Sequence, residues 1–123
     1  MILHESLLLD PILALEGMTE QLDRLVELTE RRRVVPQILL RKGGPHPFMI
    51  GTVMIMTFPD APPLVYTESL HSGDTIDDSA LVEESARSSS RLRAAALSPE
   101  TSLAMIKAAA EEYRNGKQPD RLE

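Results

Sequence analysis

The chain has 123 residues, of which 42% are hydrophobic, and a formal net charge of -6. This length supports one domain with a single core, and no apolar run approaches the roughly 20 residues that a membrane-spanning helix requires. The negative charge argues against nucleic-acid binding, and the absence of cysteine excludes disulfides, thiolate metal sites and a cysteine nucleophile. Since the N-terminus lacks the features of a secretory signal, we expect a cytoplasmic protein that does not associate with membranes.

The first part of the chain is predicted to form a short strand followed by an amphipathic helix. Ile2 and Leu3 indicate an edge strand, and HESLLL is compatible with one helical turn before the Asp-Pro pair at 10–11. From Met18 to about Arg32, apolar residues recur on one helical face while charged residues occupy the others. This pattern predicts a helix with a buried side and a solvated back.

Residues 34–70 are predicted to form three consecutive β-strands, VVPQILLRK, FMIGTVMIMTF and LVYTESL, separated by Gly- and Pro-rich turns. Both faces of the central strand are apolar, whereas a strand in an antiparallel meander usually has one face in water. We therefore expect helices to cover one face, and a ligand, a partner chain or both to cover the other. The even-numbered face, on the side of Tyr66, is where we expect the site.

Two further helices are predicted after the meander. The first starts near residues 77–78 and runs to about Ala96, and the second starts at Ser98 with a hydroxyl cap and ends at Asn115. The fold class is therefore α+β: an antiparallel meander of three main strands with a short N-terminal edge strand, packed with three helices. We expect a single domain over residues 1–116 and a flexible C-terminal tail over 117–123.

The inward side of the helix predicted after residue 77 is apolar at its ends and hydroxylic in its middle. Its members are Leu81, Ser85, Ser88 or Ser89, Leu92, and Ala95 or Ala96. A core helix normally has large side chains at such positions. The serines indicate either a cavity beside the sheet lined by Ser85 and Ser89, or a helix whose serines face water or a neighbouring segment.

The segments HESLLL, EQLDRLVELTE, GPHPFMIGTVMIMTFPDAPPLVYTE and RLRAAALSPETSLAMI follow one another over roughly residues 2–113. In this order they resemble the C-terminal, antitoxin-like domain of actinobacterial Xre-type helix-turn-helix regulators. The resemblance is most specific over residues 44–51, 64–68 and 92–98. It implies a role in recognising a ligand or a partner, and it brings no catalytic residues with it.

Two departures from the family pattern affect the expected function. The DNA-binding domain that precedes this domain in the family is absent from the chain, so we expect a stand-alone domain that does not bind DNA. The family has a large aromatic residue just before the RLR segment, where this chain has Ser88, Ser89 and Ser90. Removing a ring from a core leaves a space that the backbone only partly closes, which favours the cavity interpretation.

The predicted site combines flexible apolar side chains with a few polar groups. Methionine fills irregular gaps and is common on surfaces that accept varied apolar ligands, and three methionines lie on the central strand. The histidines lack metal-binding spacing and no nucleophile motif is present, so we expect no metal and no cofactor. We expect Tyr66 and Ser89 to donate hydrogen bonds to a substrate, and we expect the binding residues to be Ile50, Thr52, Met54, Met56, Glu68, Ser85 and Leu92.

Three functions are compatible with this pattern. The first is a stand-alone domain, dimeric through a sheet face or edge, that binds a hydrophobic, natural-product-like small molecule. The second is a cofactor-independent cyclase of polyketide biosynthesis, in which a shaped apolar cavity holds the substrate for a cycloaddition and Tyr66 or Ser89 polarises a carbonyl. The third is an antitoxin-like partner of a small toxin.

Overall fold

The computed structural model describes residues 1–43 and 51–119, which divide into two compact units. In chain order the elements are β1 (Ile2–His4), α1 (Ser6–Leu9), α2 (Leu15–Glu30), β2 (Gln37–Leu39), a 3-10 turn (Arg41–Gly43), β3 (Thr52–Met56), β4 (Leu64–Ser69), β5 (Ser72–Ile76), α3 (Ser79–Ala95) and α4 (Pro99–Arg114). The predicted α+β class is confirmed: the described residues form four α-helices, a three-stranded antiparallel sheet and a short parallel pair.

The first unit, residues 1–43 and 93–119, is built on the parallel pair β1-β2, in which Ile2 lies opposite Gln37. Alternate residues of a paired strand direct their backbone N–H and C=O groups to opposite edges. The backbone groups of Ile38 therefore point away from β1. The Ile38 N–H donates to the Ser102 hydroxyl at 2.8 Å, and the Ile38 carbonyl accepts from the Leu97 N–H at 2.9 Å. β2 is therefore hydrogen-bonded along both edges, and α4 is fixed to it.

One apolar core fills the first unit. α2 packs against α4, and α4 packs on β2 and α1. The buried members of the core are Leu8, Met18, Leu22, Ile38, Ile106, Ala109, Ala110 and Tyr113. Tyr113 is 2% exposed, and its hydroxyl donates a hydrogen bond to the Leu8 carbonyl at 2.6 Å. The last helix is thereby tied to the first one across this core.

The helix boundaries of the first unit follow the sequence closely. α2 contains most of the predicted helix from Met18 onward, and Met18 itself is buried. At the start of α4, the Ser98 hydroxyl accepts from the Thr101 N–H at 3.1 Å. Gly116, just after α4, has a φ of +75°, which terminates the helix without the strain that a side chain would bring. The predicted caps of α4 are confirmed.

The second unit, residues 51–92, contains the antiparallel sheet in the order β3-β4-β5. β4 and β5 are joined by a two-residue turn, and the Ser69 and Ser72 hydroxyls lie 2.8 Å apart where the two strands meet. Gly51, directly before β3, has a φ of +83°, and a Cβ atom there would collide with the Glu68 carbonyl oxygen. This position therefore requires glycine for β3 to approach β4.

Strand pairing differs from the prediction. The segment VVPQILLRK does not supply the first meander strand, because its strand, β2, pairs with β1 instead. The N-terminal strand is likewise no edge of the meander. The third meander strand is β5, which the sequence pattern assigned to the connection before α3. β5 is exposed over most of its length, so it lacks the apolar alternation from which strands are recognised.

One other correction concerns the number of helices. The single turn suggested by HESLLL is the helix α1, which makes four helices in the described residues instead of three. The C-terminal residues 117–119 continue beyond α4 without regular structure, and the Gln118 amide donates to the Leu9 carbonyl at 2.9 Å. Within the described ranges, no helix combines the length and apolar composition that crossing a bilayer requires.

Replacing Tyr113 with Phe removes the hydroxyl that satisfies the Leu8 carbonyl. Because the carbonyl stays in the dry core without a partner, we expect the free energy of unfolding to fall by about 1–2 kcal/mol in urea titrations followed by circular dichroism. Tyr66→Phe is the control, since the Tyr66 hydroxyl contacts Glu68 only at 3.5 Å on the protein surface. Equal losses in the two variants would contradict a structural role for the Tyr113 hydroxyl.

Stability should also fall in alkaline solution. Burial raises the pKa of Tyr113, and the Asp10 carboxylate raises it further. Because the pKa of Tyr113 is higher in the folded than in the unfolded state, the protonated hydroxyl makes its full contribution to the free energy of unfolding below the unfolded pKa of about 10. This contribution is lost as the pH rises past that value. In urea titrations from about pH 9 to pH 11, the wild type should lose more stability than Tyr113→Phe; identical slopes would disprove the assignment.

Candidate functional site

The register of the sheet brings five of the predicted site residues onto one face. The opposite pairs are Thr52 and Glu68, Met54 and Tyr66, and Met56 and Leu64. Paired residues project from the same side of a sheet, so the pairing defines two faces. The Tyr66 face comprises Thr52, Met54, Met56, Leu64, Tyr66, Glu68, Gly73 and Thr75; the Val65 face comprises Val53, Ile55, Val65, Thr67, Asp74 and Ile76.

The two faces differ in exposure. Val65 is fully buried at 0% exposure, whereas Met54 is 51% exposed and Tyr66 is partly exposed. The sequence predicts that FMIGTVMIMTF is the central strand with both faces covered. Among the described residues, however, β3 has a strand neighbour on one side only, and none of its residues is fully buried. An edge strand has a neighbour on one side only, so less of its side-chain surface is covered. The Tyr66 face therefore presents apolar side chains to solvent.

Tyr66 reaches across to β5. A Cβ atom at Gly73 would lie 2.6 Å from the Tyr66 Oη and 3.2 Å from its Cζ, so the phenol end of the ring occupies the space over this glycine. Glycine within a strand commonly marks such a close approach. The Tyr66 Oη also lies 3.5 Å from the Glu68 Oε2. The aromatic ring and the carboxylate are thus neighbours on the open face.

Gly73 and Thr75 are not among the predicted site residues, because the sequence pattern does not mark β5 as a strand. One signal was available: Ser72 to Ile76 follows LVYTES after only two residues, which is the spacing of a tight hairpin. A glycine in this short polar segment would then have indicated close contact from the neighbouring strand. β5 lies at the other edge of the sheet, where its side chains are exposed and polar. It therefore lacks the apolar pattern by which a strand is recognised in a sequence.

The predicted site residues on α3 lie on one side of that helix. Ser85, Ser89 and Leu92 are partly buried and lie on the same side of the helix as Val82, which is 4% exposed. The predicted member Leu81 is wrong, because it is 49% exposed and Val82 takes its place. In the described part of the chain, no hydrogen bond joins Ser85 or Ser89 to the Tyr66 face.

The remaining predicted features are placed as follows. Ile50 lies outside the described residues, as does His46. The His4 Nδ1 is within hydrogen-bond distance of the Ser6 hydroxyl, at 2.9 Å, and His71 is an exposed turn residue. Over residues 1–43 and 51–119, no three His, Asp or Glu side chains are grouped so that they could hold a metal ion.

Alanine substitutions at two glycines separate the fold of the sheet from the position of Tyr66. Gly51→Ala should cost about 2 kcal/mol or more of unfolding free energy, because it combines positive φ with a backbone collision. Gly73→Ala should cost less than about 1 kcal/mol, because the group it meets is the movable end of a side chain. It should nevertheless displace Tyr66, seen as shifts of its ring resonances; an unmoved ring would contradict the described contact.

No curated protein and no solved structure matches the chain. A family model described as a domain of unknown function, DUF5753, matches residues 1–108, from β1 through most of α4. This match covers well over half of the sequence and includes all five strands. The chain therefore belongs to the DUF5753 family.

Proposed function

We propose that this chain is a binding module that holds a hydrophobic small molecule on the Tyr66 face of its three-stranded sheet. The observation that carries the proposal is the position of Met54: it lies opposite Tyr66 in the register and is 51% exposed. Soluble domains seldom leave a contiguous apolar surface open without a use for it. The neighbouring Met56 and Leu64 extend the apolar surface along the strands.

The composition of this face suits a small apolar ligand. Methionine is unbranched and polarisable, so its side chain adapts to ligands of different shape. The polar groups are few: the Thr52 hydroxyl and the Glu68 carboxylate lie at one end, and the Tyr66 phenol and the Thr75 hydroxyl lie in the row of Met54. Ligand sites generally combine an apolar lining with a small number of such groups, which orient the bound molecule.

The other hypotheses stay predictions. A cyclase would require Tyr66 or Ser89 to act on a substrate shielded from water, and the openness of the Tyr66 face suits reversible binding better than such a reaction. The antitoxin-like role, the homodimer and the descent from a regulator's recognition domain depend on the sequence resemblance and on composition. They are independent of the geometry that supports ligand binding.

The proposal is tested with protein labelled with ¹³C at its methionine methyl groups and titrated with N-phenyl-1-naphthylamine, a neutral apolar probe. Met54 and Met56 resonances should shift during the titration, whereas Met18, which is 4% exposed within the first unit, should not. Met54→Glu places a charge on the apolar surface and should weaken binding by about fivefold or more.

The matched control is Ile12→Glu, which places the same charge on a residue that is 85% exposed in the first unit. We expect this variant to bind the probe as the wild type does. The proposal is wrong if the Met54 and Met56 resonances do not respond, or if both glutamate variants lose the same affinity.

A further inference from the structure

The net negative charge of this protein lies in the segment that contains the sheet, because this segment has no basic residues. Residues 43–86 contain seven Asp or Glu and not one Lys or Arg, whereas the chain as a whole has 13 basic and 19 acidic residues. The remaining residues are therefore close to neutral, and the negative charge belongs to the segment that includes β3, β4 and β5. The field of such a segment attracts cations and repels anions.

On the Tyr66 face, one carboxylate stands beside the aromatic ring. Glu68 lies two residues from Tyr66 on β4, and its Oε2 is 3.5 Å from the Tyr66 Oη. Glu68 is exposed, and among the described residues it takes part in no ion pair. No basic side chain of this face neutralises it, because the three strands contain none.

The ring itself is held in a position suited to stacking. Its phenol end lies over Gly73, where a side chain would collide with it, so the strand supports one part of the ring. Tyr66 keeps part of its surface exposed, and Met54 lies opposite it on β3. A tyrosine ring next to a carboxylate attracts organic ammonium groups, the ring through its quadrupole and the carboxylate through its charge.

We infer that the ligand of the Tyr66 face is an organic cation with an apolar body. Its ammonium group lies against Tyr66 and Glu68, and its hydrocarbon part lies along Met54 and Met56. This inference rests on the proposed binding function and adds the charge of the ligand to it.

The test compares three ligands that share an eight-carbon chain and differ in head group: octyltrimethylammonium, octyl glucoside and octyl sulfate. Each is titrated as a monomer into the full chain, and the shifts of the Met54 and Met56 methyl resonances are measured. Octyltrimethylammonium should bind about three- to tenfold more tightly than octyl glucoside, and octyl sulfate should bind most weakly.

Variants then locate the cation. Glu68→Gln should weaken octyltrimethylammonium binding by about threefold more than it weakens octyl glucoside binding, so that the preference for the ammonium falls. Tyr66→Phe keeps an aromatic face and should retain the preference for the ammonium, whereas Tyr66→Leu should lose it. The control is Glu83→Gln, which removes an exposed carboxylate of the same acidic segment on α3 and should have little effect.

Each outcome bears on a separate statement. Equal affinity for the three head groups would overturn the cation inference and leave the binding function standing. A lack of response of Met54 and Met56 to all three ligands would overturn the binding function itself. If Glu83→Gln weakens ammonium binding as much as Glu68→Gln does, the attraction comes from the general field and the site at Tyr66 is disproved.

Discussion

Ile38 is fully buried, and its two backbone hydrogen bonds are the point at which distant segments of the chain meet. A buried strand of three residues cannot leave its outer edge unpaired, because an unsatisfied backbone group costs as much as a lost hydrogen bond. The Leu97 N–H and the Ser102 hydroxyl satisfy that edge, which fixes where α4 begins and which side of it enters the core. The packing of α2, α4 and the Tyr113 hydroxyl around Leu8 follows from this arrangement.

The sheet of the second unit follows a different constraint. Its three strands cover little of one another's side chains, since two of them are edges, and only Val65 is fully buried among their residues. Two glycines set the local geometry: Gly51 lets the backbone of β3 approach Glu68, and Gly73 makes room for the Tyr66 ring. The second of these contacts brings an aromatic side chain and a carboxylate together on an open surface.

This surface has two regions, and each matches one part of the proposed ligand. Methionine and leucine side chains favour hydrocarbon through burial of apolar area, and they do so without strong shape selection. The carboxylate and ring at the other end favour positive charge, reinforced by an acidic segment that contains no Lys or Arg. Orientation and charge preference thus come from a few polar atoms, as in ligand sites generally.

The sequence by itself determined the α+β class, the helices α2 and α4, the caps of α4, the parity that puts Thr52, Met54 and Met56 on one side of β3, and the lack of basic residues around the strands. These features depend on periodicity, capping chemistry and charge, which are local. Only the tertiary structure decided that the strand of VVPQILLRK pairs with the N-terminus, that the polar SGDTI is a strand, and that Val82 replaces Leu81 on the inner side of α3. The pairing of a strand and the buried side of a helix depend on which distant segment packs against them. A short apolar run does not specify that segment.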